Sequence, residues 1–71
     1  MPLVKVKKGQ KVTLLHIISG VKLQSQLFSL GLIPGVEIEV LQDSVCVPFL
    51  VSVKGSQIML GNEIVRSIMV A

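Results

Sequence analysis

The stretch LFSLGLIPG, residues 27–35, constrains the fold more than any other part of the chain. It completes an i, i+4, i+7 spacing of leucines, which predicts one apolar face of a helix: Leu23, Leu27 and Leu30. Gly31 comes directly after the last of these leucines, where a helix that ends in a left-handed residue favours glycine. The sequence therefore predicts a helix from about residue 21 to residue 30, with Ser19 as a candidate N-cap.

A tight turn and a strand are expected after this helix. Pro34 and Gly35 suit the two central positions of a type II turn, because proline fixes φ and glycine accepts a positive φ. The following side chains alternate between apolar and acidic, which is typical of a half-buried strand: Val36, Glu37, Ile38, Glu39 and Val40.

The rest of the chain consists of short β-branched segments between turn residues. Strands are predicted at residues 11–18, 36–42, 48–54, 57–60 and 67–70, with a loop at 43–47 and a turn at Gly55-Ser56. Residues 61–66 are expected to form either a short turn or a single helical turn. Residues 2–6 suit either a short edge strand or a loose arm. Five or six strands and one short helix indicate a mainly β fold, either a small barrel or a sandwich.

Length and composition limit the chain to one domain, residues 1–71. A domain of 71 residues with a single cysteine has no internal disulfide to stabilise it. Its composition is instead very apolar, with 51% hydrophobic residues and a mean hydropathy of +0.79. A small barrel cannot bury so much apolar surface, so part of it is expected to face a partner or a second copy of the chain.

Membrane insertion and export are both disfavoured. The longest stretch without a charge, residues 23–36, has 14 residues, whereas a spanning helix needs about 20. The lysine-rich N-terminus leads into apolar residues without a small-residue cleavage site. A free cysteine without an export signal predicts a cytoplasmic protein.

The net charge of +3 is unevenly distributed, since four of the seven cations lie in residues 5–11 and no acid precedes Glu37. Such a cluster suits an anionic partner, but lysines that protect an edge strand explain it more simply. Nucleic-acid binding is disfavoured, because the chain has no Trp or Tyr and its two aromatic residues, Phe28 and Phe49, occupy core-like positions. The scarcity of aromatics equally disfavours a polyproline-binding groove.

No catalytic or metal-binding pattern is present. His16 and Cys46 are the only imidazole and thiol in the chain, and no spacing such as HxH or CxxC would preassemble a metal site. His16 is expected to be a partly buried strand residue, and Cys46 a loop residue. The sequence therefore predicts a protein that is not an enzyme, without catalytic residues, a cofactor or a metal of its own.

Together these motifs resemble the FeoA family, small cytoplasmic proteins with an SH3-like barrel that are associated with ferrous iron transport. The resemblance covers about residues 12–70 and rests on the following residues: Leu27, Leu30, Gly31, Leu32, Pro34, Gly35, Val36, Ile38, Val40, Pro48, Val51, Val53, Gly55, Ser56, Leu60, Glu63, Ile68 and Val70. The chain departs from the family pattern at Val65, where a small Ala is usual, and at residues 44–47.

The resemblance implies a non-catalytic module that docks on the cytosolic part of the membrane transporter FeoB and assists or modulates transport. The expected contact residues lie on the helix and the turn after it: Lys22, Gln26, Phe28, Leu32 and Ile33. Phe28 lies about 100° from Leu27 around the helix, so core packing and an exposed anchor are both open for it. Two alternatives remain, a regulatory domain that acts in trans on a metal-dependent transcription regulator, and a self-assembling barrel.

Overall fold

The computed structural model of the chain describes residues 1–43 and 49–71. In chain order the elements are a 3₁₀ helix (Leu3–Lys5), β1 (Lys11–Ile17), α1 (Val21–Ser29), β2 (Glu37–Gln42), β3 (Phe49–Val53), β4 (Ser56–Leu60), α2 (Asn62–Ser67) and β5 (Ile68–Val70). The strands form one antiparallel sheet in the order β4-β3-β2-β1-β5. This confirms the mainly β fold with one short principal helix. Of the loop expected at residues 43–47, residues 44–47, with Cys46, lie outside the described residues.

The core follows from the alternation of side chains along the strands. In β3, Phe49, Val51 and Val53 are buried while the two residues between them are half-buried. In β1 the alternation is interrupted by a change of register between Leu14 and His16, so that Leu14 and Ile17 both face the core. The expectation of a partly buried His16 is therefore wrong, because this irregularity leaves the imidazole exposed.

The N-terminal segment pairs with the sheet edge only at Met1 and Pro2, and the residues after them form a 3₁₀ helix instead of an edge strand or a loose arm. Leu3 and Val6 are both buried, and this spacing of three matches the 3₁₀ helix rather than the period of two of a strand. Val4 and Val6 alternate with Lys5 and Lys7 as they would in a strand, but these residues do not form one. Since β1 lies between β2 and β5, Lys11 does not protect a sheet edge either.

The β3–β4 hairpin turns one residue earlier than expected. Lys54 and Gly55 have φ values of 50° and 84°, and Val53 pairs with Ser56 across the turn. Positive φ at both central residues is the signature of a type I′ turn, which matches the twist of the two strands. Ser56 therefore belongs to β4, not to the turn.

Candidate protein-docking surface

The end of α1 has the backbone geometry that its sequence predicts. The Gly31 N–H donates to the Phe28 carbonyl at 3.0 Å, and the Leu32 N–H donates to the Leu27 carbonyl at 3.0 Å. This pair of hydrogen bonds is a Schellman motif, and Gly31 takes the left-handed conformation it needs, with φ of 93°. The motif brings Leu32 into the same core as Leu27.

The turn after the helix is fixed onto β1. The Val36 N–H donates to the Ile33 carbonyl at 3.1 Å, and Gly35 has φ of 93°, as expected for a type II turn. The Gly35 N–H then donates to the Leu14 carbonyl at 2.7 Å, and the Leu14 N–H donates to the Val36 carbonyl at 2.9 Å. These bonds hold the turn, including the exposed Ile33, at a defined place beside the sheet.

The start of α1 differs from the prediction. Gly20, not Ser19, occupies the N-cap position, and no side chain caps the helix. The Gln24 side chain instead reaches back from the helix, and its Nε2 donates to the Ile17 carbonyl at 3.1 Å and to the Ser19 carbonyl at 2.9 Å. Gln24 thus connects α1 to the end of β1 and to the residue after it.

The leucine stripe of α1 is only partly a core face. Leu27 is buried and Leu23 is half-buried, but Leu30 is 53% exposed. Leu32, beyond the glycine, is completely buried. The chain reverses at Gly31, so Leu32 rather than Leu30 occupies the core position at this end of the helix.

The five predicted contact residues do not form one surface. Lys22, Gln26, Phe28 and Ile33 are exposed, whereas Leu32 has no exposed surface. The expectation that Leu32 lies on the surface is therefore wrong, because the Schellman motif turns it inward. On the helix, Lys22 and Gln26 lie about 40° apart, but Phe28 lies roughly 160° from Gln26. Phe28 and the two polar residues consequently occupy opposite flanks of α1.

Val21, which is not among the five predicted contact residues, shares the flank of Phe28. Val21 lies about 20° from Phe28 in helical projection, with Ser25 close to both. Val21 is 80% exposed and Phe28 is 41% exposed. We call Val21, Ser25 and Phe28 the α1 flank. The i, i+4, i+7 spacing of these residues was a usable signal, although it competes with the leucine stripe. Ile18 and Leu30, next to the two ends of the helix, are also exposed.

A second surface feature is a groove of about 430 Å³ over the sheet, which is lined by none of the five predicted contact residues. Its lining includes two lysines and two glutamates: Lys11, Glu37, Glu39 and Lys54. Within residues 1–43 and 49–71, no three His, Cys, Asp or Glu side chains are close enough together to hold a metal ion. Among the described residues, no helix is long and apolar enough to cross a membrane.

Comparison with known proteins assigns the family. The family model of the FeoA domain matches residues 1–71. The chain belongs to the FeoA family. It is also similar to the crystal structure of an iron uptake regulatory protein, FeoA, with 31% identity and a TM-score of 0.91 over 99% of this chain and 93% of that one. The SH3-like fold and an association with ferrous iron transport follow from this membership.

Two further structures share the fold. The FeoA protein from Chlorobium tepidum is 22% identical, with a TM-score of 0.89 over 99% of this chain and 68% of that one. IdeR from T. acidophilum is 25% identical, with a TM-score of 0.86, and this chain covers only 32% of it. The fold therefore also occurs as one part of a longer protein. A search of curated proteins finds no match.

Proposed function

We propose that this FeoA-family chain, as a single module, docks in the cytoplasm on the cytosolic part of a FeoB-type membrane transporter and assists or modulates the uptake of ferrous iron. Family membership supports the link to iron transport, and the exposed apolar residues of the α1 flank support a binding role. The proposal assigns no catalysis, cofactor or resident metal to the chain. Ferrous iron is the cargo of the transporter.

The proposed docking surface is inferred mainly from the exposed apolar residues of the α1 flank. Aromatic side chains dominate the energetics of many interfaces, and Phe28 leaves 41% of its surface in water. Beside it, Val21 adds apolar area that the fold does not use. Exposed Ile33, held by the turn that is bonded to Leu14, extends the surface, and buried Leu32 supports that turn from within.

Lys22 and Gln26 form the second part of the proposed contact, on the polar flank of the helix. A partner groove that encloses α1 would contact both flanks, whereas a flat partner surface would contact one. The two flanks can be separated by substitution, because their side chains are exposed and contribute little to folding.

The test measures binding of the purified chain to the detergent-solubilised transporter from the same organism, by biolayer interferometry. Phe28→Ala and Val21→Glu are compared with Lys22→Glu and Gln26→Glu, and circular dichroism checks that each variant is folded. We expect Phe28→Ala and Val21→Glu to weaken binding about tenfold or more, because each removes an apolar side chain that docking would bury. Met59→Lys, at an exposed apolar residue on β4, is the control and should leave binding unchanged.

The outcomes separate the parts of the proposal. Loss of binding in the Lys22 and Gln26 variants alone would move the docking surface to the polar flank. Unchanged binding in all four variants would refute a surface on α1. Absence of binding by the wild-type chain would refute the transporter as the partner.

The alternative, regulation in trans of a metal-dependent transcription regulator, has one supporting observation. The fold is shared with IdeR and with a manganese-dependent transcriptional repressor, the latter with 19% identity and a TM-score of 0.85. In this case the purified regulator, not the transporter, would bind the chain in the same assay.

A further inference from the structure

The two edge strands of the sheet, β5 and β4, differ in their backbone pairing. At β5, the N-terminal residues close the edge. The Met1 amine donates to the Val70 carbonyl at 2.9 Å, and the Val70 N–H donates to the Met1 carbonyl at 2.8 Å. Pro2 also forms a bridge with Met69. At the other edge, β4 pairs with β3, and no other described segment pairs with it.

The register identifies which backbone groups of β4 are free. In a two-residue hairpin the residues next to the turn exchange both hydrogen bonds, and bonded and non-bonded pairs then alternate. Since Val53 pairs with Ser56, the backbone groups of Ser56, Ile58 and Leu60 point toward β3. Those of Gln57 and Met59 therefore point away from the sheet, as two N–H donors and two carbonyl acceptors.

The side chains of β4 do not protect this edge. Natural edges are often blocked by lysine, proline or a bulge. β4 reads Ser-Gln-Ile-Met-Leu, without charge or proline, and pairs with β3 in an unbroken register. Met59 is 70% exposed on the outer face, and Ile58, on the core face, is only half-buried at the margin of the core.

We propose that β4 is a self-pairing edge, at which two copies of this chain join antiparallel about Ile58 to form one continuous sheet. In this register Gln57 of each copy lies opposite Met59 of the other, so the free groups form four backbone hydrogen bonds. The two Ile58 side chains meet directly on the core face. The two Met59 side chains lie diagonally across the outer face, within the roughly 7–8 Å over which long side chains interact.

A second copy is the occupant that this edge fits best, because one two-fold axis satisfies both the backbone and the apolar side chains. No like charges meet at the junction, since the lysines and carboxylates of the chain lie outside β4. Five residues provide far less contact than the about 800 Å² per partner of a standard interface. The dimer is therefore weak and exchanges rapidly with the monomer.

The experiment is sedimentation equilibrium of the full chain from micromolar to millimolar concentration, with amide NMR spectra over the same range. We expect concentration-dependent dimerisation and shifts centred on the Gln57 and Met59 amides. Gln57→Pro removes an outward N–H without removing a bond to β3, and Met59→Lys brings two cations together. Each variant should weaken dimerisation by about tenfold or more, because each change occurs twice per dimer.

Val21→Lys is the matched control, since it replaces an equally exposed apolar residue on α1 and should leave dimerisation unchanged. Three results would overturn the proposal: a monomer throughout the concentration range, dimerisation unaffected by Gln57→Pro and Met59→Lys, or dimerisation abolished by Val21→Lys. Pairing of β4 with an extended segment of another protein would be indicated by a monomer whose Gln57 and Met59 amides shift only when that protein is added. Transporter binding is measured separately, so either proposal can fail alone.

Discussion

Replacing each of the two leucines that flank Gly31 gives the sharpest test of this structure. Leu32 is completely buried, so Leu32→Ala removes core contacts and leaves a cavity, for which about 2–5 kcal/mol is typical and about 3 kcal/mol is expected here. Leu30 is 53% exposed, and Leu30→Ala should cost about 1 kcal/mol or less. Leucine and alanine have similar helix propensities, so this term does not obscure the comparison.

The expected difference is large for a chain of this size. At roughly 0.05–0.15 kcal/mol per residue, 71 residues give a total stability of about 4–11 kcal/mol. A loss of about 3 kcal/mol corresponds to a fall in Tm of about 12–24 °C, at about 4–8 °C per kcal/mol. Leu30→Ala should lower the Tm by about 8 °C at most.

Far-UV circular dichroism in urea is the suitable assay, because the chain has no Trp or Tyr to report unfolding by fluorescence. The free energy of unfolding is obtained for the wild type and both variants by linear extrapolation. Equal losses, or a larger loss for Leu30→Ala, would refute the assignment of Leu32 to the core, and with it the direction in which the Schellman motif turns the chain.

Three further substitutions test individual contacts, with the free energy of unfolding as the readout in each case. Gly35→Ala should lower the free energy of unfolding by about 1–2 kcal/mol, because the φ of 93° is unfavourable for alanine. The added Cβ would meet no atom within 4 Å, so no steric clash contributes. A neutral result would contradict the type II turn. Lys54→Gly should stabilise the chain by about 0.5–1 kcal/mol by relieving a φ of 50° in the β3–β4 turn, and a loss of stability would contradict the type I′ geometry. Gln24→Ala should cost about 1 kcal/mol, because the Ile17 and Ser19 carbonyls lose their side-chain donor; Gln26→Ala, on the exposed polar flank, is the control.

The sequence was sufficient to predict the turns whose geometry depends on a single residue. Gly31 and Gly35 both adopt positive φ, as their positions after a helix and a proline predict. The alternation in β2 likewise predicted its buried face. The N-terminal segment was not predictable in this way. The 3₁₀ helix of Leu3–Lys5 is too short for a periodic signal, and its position depends on contacts with α2 and β5, far along the chain.

The exposed apolar residues of the proposed docking surface were only partly predictable, for a related reason. A helical period shows that Leu23, Leu27 and Leu30 share a face, but not where along the helix that face loses contact with the sheet. The reversal at Gly31 decides this point by placing Leu32 in the core and leaving Leu30 outside. Val21 was overlooked because whether its flank is covered depends on the sheet, which non-local strand pairing positions.

The distribution of exposed apolar residues leads to a last prediction about docking. Ile18, Val21, Phe28, Leu30 and Ile33 all lie on or beside α1, whereas the clustered lysines lie in residues 5–11. If the α1 flank supplies the binding energy, the Kd for the transporter should change little as salt shortens the Debye length from about 10 Å at 0.1 M to about 3 Å at 1 M, because burial of apolar area is not screened. If the lysines supply it, the Kd should rise steeply over this range, and Lys7→Glu with Lys8→Glu should weaken binding more than Phe28→Ala does. A steep salt dependence would therefore refute the apolar flank as the main anchor, even if transporter binding itself is observed.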